Sequence, residues 1–508
     1  MSRRRIARVR SQRCLDGRGL SAYVQGSLVQ NMDPLLTLSA TRLARMIRTR
    51  EISSREVVDA HIRRLEEVNP RINAVVAFRF DQARREAREA DERVAREDAS
   101  ALPPLHGVPC TIKEAFPLEG MPNTSGLVSR EGWTATGDAP AVSRLRNAGA
   151  IPLGVTNVSE LCMWMESNNK VYGRTSNPYD HRRIAGGSSG GEGAIIGAGG
   201  SPFGLGSDVG GSIRMPAFFN GVFGHKPTGG LVPTTGQFPS AHNEARRYVT
   251  TGPLCRRAED LFPLLRVLAG PDGHDHCVDV PVLDPASAPV HRLTVLDVTD
   301  NGNVPVSDDL REAQRRAGDA LASAGARVRR VRIPRLKRSF EIWASMLAAA
   351  GGPSFAEWMG GGRAIRPGRE LLRWAAGRSP HTFPAIGLAL LEQVPKLIPT
   401  ETGRLVEEGR ALRRELVERI GPQGVMLFPS YPSTAPLHGQ PLLSPFSWVY
   451  TAVLNVMEMP STQVPLGLDR KGLPLGVQVV AIHGNDHLCI SVANELERAF
   501  GGWVPPRS

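Results

Sequence analysis

The sequence predicts an α/β protein, and three observations carry that expectation. Short apolar runs bounded by glycine and proline alternate with helical runs over most of the chain. Hydrophobic residues make up 41% of 508, far too many for a disordered chain and enough for one large core or two ordinary ones. No repeat of about 20–50 residues is visible, so no repeat architecture is indicated. The 53 glycines and 40 prolines fit many tight turns around a mixed fold.

The elements follow in chain order. Residues 1–31 begin MSRRRIARVR, a basic run with no apolar core behind it, and read as a disordered basic extension rather than an export signal. Met32 is a candidate start. Ser39 caps a first helix carrying Leu43, Met46 and Ile47 on one side. Ser53 and Glu56 form a capping box for a second helix, which Pro70 is expected to stop. Asp81 to Asp98 reads as a charged surface helix with spaced alanines. LHGVPCTIKEAF, Leu105 to Phe116, reads as a short buried strand ending in a polar tip. Ala141 to Asn157 reads as helix, glycine stop and strand. EGAIIGAGG reads as a small-residue helix, and SPFGLGSDVGG as a strand entering a turn.

Beyond Asp300, SDDLREAQRRAGDALASAGA reads as a helix and RVRRVRI as a strand. SFEIWASMLAAAGG, ELLRWAAG and FPAIGLALLEQVPKLIP are amphipathic pieces, and GVMLFPSYPSTAP and GLPLGVQVVA return to strand. No linker long enough to divide residues 32–505 appears, so one domain is expected.

Net charge is +12, mostly arginine and spread along the chain. That pattern reads as a solvated basic surface, with attraction to nucleic acid or anionic lipid as the functional alternative. Six scattered cysteines with no CxxC pair indicate neither a zinc knuckle nor a disulfide framework, and fit a reducing cytoplasm. No run of about 18 apolar residues occurs, so no transmembrane helix is expected.

Chemistry concentrates in two glycine-walled serine loops, RIAGGSSGGEGAIIGAGG from Arg183 and GSDVGGSIRMP from Gly206. A phosphate cradle is disfavoured: no lysine follows the glycines as a P-loop requires, and GLGSDVGG carries one residue too many for GxGxxG. GGSSG satisfies the hydrolase elbow GxSxG with Ser188 as nucleophile and His487 as an available base, but leaves the second loop unexplained. A third reading uses both loops. The glycines before Ser212 let consecutive N–H groups, from Val209 through Gly210 and Gly211 to Ser212, turn inward around an oxyanion. Ser212 is then the nucleophile, and Ser188 relays its proton to Lys113 at the end of an apolar strand. A desolvated lysine is a competent base because burial disfavours its charged form.

GVPCTIKEAF together with GGSSGGEGAIIGAGGSPFGLGSDVGGSIRMPAFFNGVFGHKPT resembles the amidase signature family. TGQFP, TGPLCRRAEDL, IGLALLEQ, GLPLGVQVVA, NDHL and FGGWV extend the resemblance to its fatty-acid amide hydrolase type 2 branch over roughly residues 35–505. The membrane-bound members of that branch begin with a transmembrane helix, whereas this chain begins with arginines.

The resemblance implies a central twisted mixed β-sheet covered on both sides by α-helices. A signature core lies at about 105–235 and a variable substrate or cap region at about 300–445. It implies a Ser–cis-Ser–Lys triad of Ser212, Ser188 and Lys113, acting through an acyl-enzyme on a small-molecule amide without metal or cofactor. Ser189, Asp208 and Arg214 would support the loops. Cys162, Met163 and Met165, with Trp164 between them, would line an apolar acyl pocket. A homodimer is implied, with no nucleic-acid partner and at most weak peripheral contact of residues 338–400 with a membrane. Two alternatives stand: the amidase component of a tRNA-dependent amidotransferase, and a non-catalytic glycine-loop binding protein.

Overall fold

The computed structural model describes residues 32–280, 288–393 and 399–507. The expected extension, residues 1–31, lies outside them.

Eleven strands form one sheet: β1 (Val75–Phe78), β2 (Pro109–Lys113), β3 (Ile151–Thr156), β4 (Phe203–Asp208), β5 (Phe223–Lys226), β6 (Thr250–Cys255), β7 (Thr294–Asp297), β8 (Arg327–Arg330), β9 (Gly424–Phe428), β10 (Ser461–Leu468) and β11 (Pro474–Val480). Their spatial order is β1-β3-β2-β4-β6-β5-β10-β11-β9-β7-β8. The sheet is mixed. β3, β2 and β4 run parallel, as do β9, β7 and β8, while the pairs between these groups are antiparallel. Every residue of β2, β3, β4, β6, β9 and β11 is buried, so both faces of the sheet are covered. This is the α/β layering that the sequence pattern predicts.

The covering helices include α1 (Ala40–Arg48), α2 (Ser54–Ile72), α3 (Phe80–Arg96), α4 (Pro140–Asn147), α5 (Gly190–Gly197), α6 (Arg214–Phe219), α7 (Leu261–Leu268), α8 (Asp308–Ser323), α9 (Ser339–Ala349), α10 (Phe355–Met359), α11 (Pro367–Ala375), α12 (Phe383–Leu391), α13 (Pro399–Ile420), α14 (Val449–Val456) and α15 (Asp486–Phe500). Ser39 caps α1 through the Arg42 N–H, and Ser53 with Glu56 closes the capping box of α2, both as expected. α3 buries Ala83, Ala87 and Ala90 and turns its charges outward.

One local expectation needs correction. α2 runs past Pro70 to Ile72 and ends at Asn73 in the left-handed region, φ 47°. Asn69 makes that ending: its Oδ1 accepts the N–H groups of Ala74 and Val75, and its Nδ2 donates to Val75 O. The side chain thus bends the chain from helix into β1 where proline alone does not. The polar tip of β2 lies inside the protein, with Lys113 and Glu114 both fully buried.

The carboxyl ends of parallel β2 and β4 lie side by side, the usual place for a ligand site in such sheets. Thr111 and Ile112 of β2 pair with Gly204 and Leu205 of β4, which carries Lys113 to the level of Ser207.

Candidate active site

Lys113 is the last residue of β2, and its Nζ lies 2.7 Å from Ser188 Oγ and 2.9 Å from Ser207 Oγ. Burial draws its pKa below the usual lysine value. Cys162, Asp208 and Glu192 nearby act in the opposite direction. An amine at this position is biased toward the neutral form that can take a proton.

Ser188 sits in the turn before α5, and the Gly187–Ser188 peptide bond is cis. Gly187 is required there by space: a Cβ would stand 2.3 Å from Trp164 O. Ser189 joins the two loops, its N–H donating to Ser212 O at 3.2 Å and its hydroxyl to Ser207 O at 3.3 Å. Ser167 holds the same turn from the other side, donating to Ser188 O and accepting the Gly190 N–H. The elbow alternative asks for an imidazole at Ser188. The structure puts the Lys113 amine at 2.7 Å from its hydroxyl.

The second loop connects β4 to α6. Asp208, at the end of β4, accepts the N–H of Gly211 at 2.7 Å and of Ile213 at 3.0 Å, and pairs with Arg214 at 2.9 Å with neither side chain exposed. Burial pushes the Asp208 pKa up, but the Arg214 charge and the hydrogen bonds outweigh it and hold the carboxylate well below its ordinary range. Arg214 in turn donates to Gln478 and Asn455. The pair therefore fixes the shape of the Ser212 loop. It also occupies one of the four expected oxyanion donors, because the Gly211 N–H points at Asp208. Among the described residues, the N–H groups of Val209, Gly210 and Ser212 donate to no protein acceptor.

Cys162, Met163, Trp164 and Met165 all line a cavity that also reaches Val209, Gly210 and Ser212. The cavity encloses about 420 Å³, part of it open to solvent. Its other walls are Met215, three residues past Ser212 in the second loop motif, and Trp343, Leu388 and Trp448, which no local motif announces because they come from three distant stretches of the chain. Trp343 is tied in place by its indole N–H, which donates to Val209 O at 2.9 Å. Ser207 carries no mark of a site residue in the sequence either, since only the β2–β4 register brings it to Lys113.

A buried amine on the hydroxyl of one loop serine, with uncommitted N–H groups beside a second, provides a group that can take up a proton and donors that can hold an oxyanion. The amidase family model matches residues 56–490, most of the chain.

The chain belongs to the amidase family.

Fatty-acid amide hydrolase 2-A of Danio rerio is 47% identical over 490 residues, covering 93% of this chain and 91% of that protein. Indoleacetamide hydrolase of Bradyrhizobium diazoefficiens is 30% identical over 489 residues, covering 92% and 87%. A solved structure of fatty acid amide hydrolase superposes with a TM-score of 0.77 over 97% of this chain and 92% of that one, at 22% identity. The amidase fold and an amide-hydrolysing activity are thereby established for this chain.

Proposed function

We propose that this amidase cleaves carboxylic amides with an apolar acyl group, fatty or aryl, through an acyl-enzyme on Ser212. Neutral Lys113 accepts the proton of Ser188 as Ser188 accepts that of Ser212. Ser212 Oγ forms the new bond to the amide carbonyl carbon, and the N–H groups of Val209, Gly210 and Ser212 hold the oxyanion. The C–N bond breaks as the relay returns its proton to the leaving nitrogen. Water then cleaves the ester by the same relay run again.

The observation that carries this reading is the fully buried Lys113 amine 2.7 Å from the Ser188 hydroxyl. The apolar lining of the cavity beside Ser212 supports an apolar acyl group, as does the 47% identity to a relative named for fatty-acid amides. A fluorophosphonate probe tests the nucleophile: peptide mass is expected to place the label on Ser212 and to show none in Ser212→Ala. A label on Ser188 overturns the assignment. Hydrolysis of a simple amide by the purified chain alone separates this reading from that of an amidotransferase component.

One surface supports a peripheral lipid contact. Leu372 is 74% exposed on α11, exposed Trp374 of the same helix packs on exposed Phe383 of α12 at 5.0 Å, Leu390 and Leu391 are exposed at the end of α12, and Arg363, Arg366, Arg369 and Arg378 are exposed along the same stretch of chain. We infer that this apolar and basic ridge rests on anionic membrane surfaces. Vesicle flotation is expected to carry the protein up with anionic but not zwitterionic lipid, and Leu372→Glu to abolish the effect. Protein that stays at the bottom of both gradients overturns it.

A further inference from the structure

The strip Cys162–Met165 that lines the cavity has a glutamate near each end, Glu160 and Glu166. Both side chains are buried and share one pair of contacts, to which Glu166 adds an ion pair with Arg174 at 3.3 Å. Glu160 Oε1 lies 2.7 Å from His381 Nδ1, and its other oxygen accepts the Thr382 N–H at 2.7 Å. Glu166 Oε1 lies 2.7 Å from His438 Nδ1, and its other oxygen accepts the Gly439 N–H at 3.2 Å. Each carboxylate thus grips an imidazole and the backbone N–H of the residue after it.

The gripped segments are two walls of the cavity. His381 and Thr382 lead directly into α12, whose Leu388 lines the cavity. His438 and Gly439 open the segment that runs through exposed Leu442, Leu443 and Phe446 to Trp448, another lining residue. Beyond this grip, α12 is held mainly by apolar packing, Phe383 against Trp374 of α11 at 5.0 Å, and by Glu392 at its end, which accepts the Phe355 N–H at 2.8 Å. With α10 it packs around Leu161 in a small apolar cluster separate from the main core. The His438 segment has further ties, since the His438 N–H donates to Arg182 O and the Ile184 N–H to Pro436 O, both at 3.0 Å.

A buried carboxylate is expensive to desolvate, and a buried polar contact of this kind is often no more stabilising than apolar residues of the same size. What such a pair does supply is a fixed geometry. Two of them bracketing one strip of cavity wall are better explained by the position they impose than by the stability they add. We propose that Glu160 and Glu166 are positioning residues that set acyl-chain selectivity, by clamping the Leu388 helix and the segment leading to Trp448 against the Cys162–Met165 strip. The proposal rests on reading this cavity as the acyl site.

The test compares kcat and KM for acetyl and dodecanoyl p-nitroanilides. Glu160→Ala and His381→Ala are expected to raise KM for the long substrate about tenfold, leaving its kcat and both constants for the acetyl substrate unchanged. The shift in Glu166→Ala is smaller, about threefold, because its wall has other hydrogen bonds. His381→Asn, whose side-chain N–H can replace that of Nδ1, is expected to keep the wild-type selectivity. Equal changes on both substrates, or His381→Asn behaving as His381→Ala, overturn the clamp. Leu388→Trp tests the cavity separately: if it leaves KM for the long substrate unchanged, the acyl-site reading itself fails, whatever the clamp variants do.

Discussion

Lys113 has two hydroxyl neighbours, and they do different things. In the proposed mechanism Ser188 Oγ, at 2.7 Å, is the partner in proton transfer, and the role left to Ser207 Oγ, at 2.9 Å, is to orient the amine. Ser207→Ala removes one hydrogen bond from a group that must be aligned for the transfer. A loss of about tenfold in kcat is expected with KM unchanged, about 1.4 kcal/mol on the barrier. Steady-state kinetics on one amide measure it, and a change confined to KM contradicts the orienting role. The contrast shows what is legible at this scale. Ser188 and Ser212 stand out because glycines crowd them, and Lys113 because it is a lone charge after an apolar run. Ser207 looks like any strand serine, and only the pairing of β2 with β4 reveals its neighbour. Glu160 and Glu166 are equally silent, since their partners lie 221 and 272 residues away.

At the scale of elements, the β4–α6 turn depends on one glycine more than its neighbours. Gly211 has φ 116°, in the region that side chains rarely adopt, and a Cβ there would stand 2.1 Å from Thr451 Oγ1. Thr451 cannot simply rotate away without loss, because its hydroxyl donates to Gly210 O at 2.7 Å. Gly211→Ala is therefore expected to displace the loop that holds Ser212 and to cut kcat/KM by about a hundredfold or more. Far-UV circular dichroism should stay close to wild type. Activity within about twofold of wild type would show that the turn tolerates the shift. Strands are plain in the sequence where they are short apolar runs, as in β2 and β9. The pattern is poor for β6, TTGPLC, and β10, STQVPLGL, because each places a proline in a central strand, where it normally argues against one. In β10 the register shifts between Pro465 and Leu468, and the irregularity accommodates the residue.

The sheet as a whole buries charge, and that links stability to pH. Glu192 on α5 is fully buried over β2 and β3, accepting from Thr111 Oγ1 at 2.6 Å and Thr156 Oγ1 at 2.9 Å. Burial raises its pKa to about 8, against the opposing pull of those hydroxyls and of Lys113. A folded-state value above the ordinary 4.5 means that the stability attached to the neutral acid is fully present below pH 4.5 and is lost as pH rises through about 8. At about 1.4 kcal/mol per pKa unit the loss is a few kcal/mol. The wild-type curve alone does not isolate it. Burial likewise raises Glu114 to about 7 and Asp260 to about 6. It lowers His61 to about 3 and Lys226 to about 7, and these two favour the folded state more as pH rises. Those contributions are common to wild type and Glu192→Gln, so the difference between the two proteins isolates residue 192. The glutamine does not titrate and can still hydrogen-bond both threonines. The melting temperature of Glu192→Gln relative to wild type is therefore expected to climb from pH 5 to about pH 8 and to level off by pH 9. A difference that stays flat across that range would mean that Glu192 is ionised in the folded protein throughout, and that the sheet stabilises a carboxylate there without a formal partner.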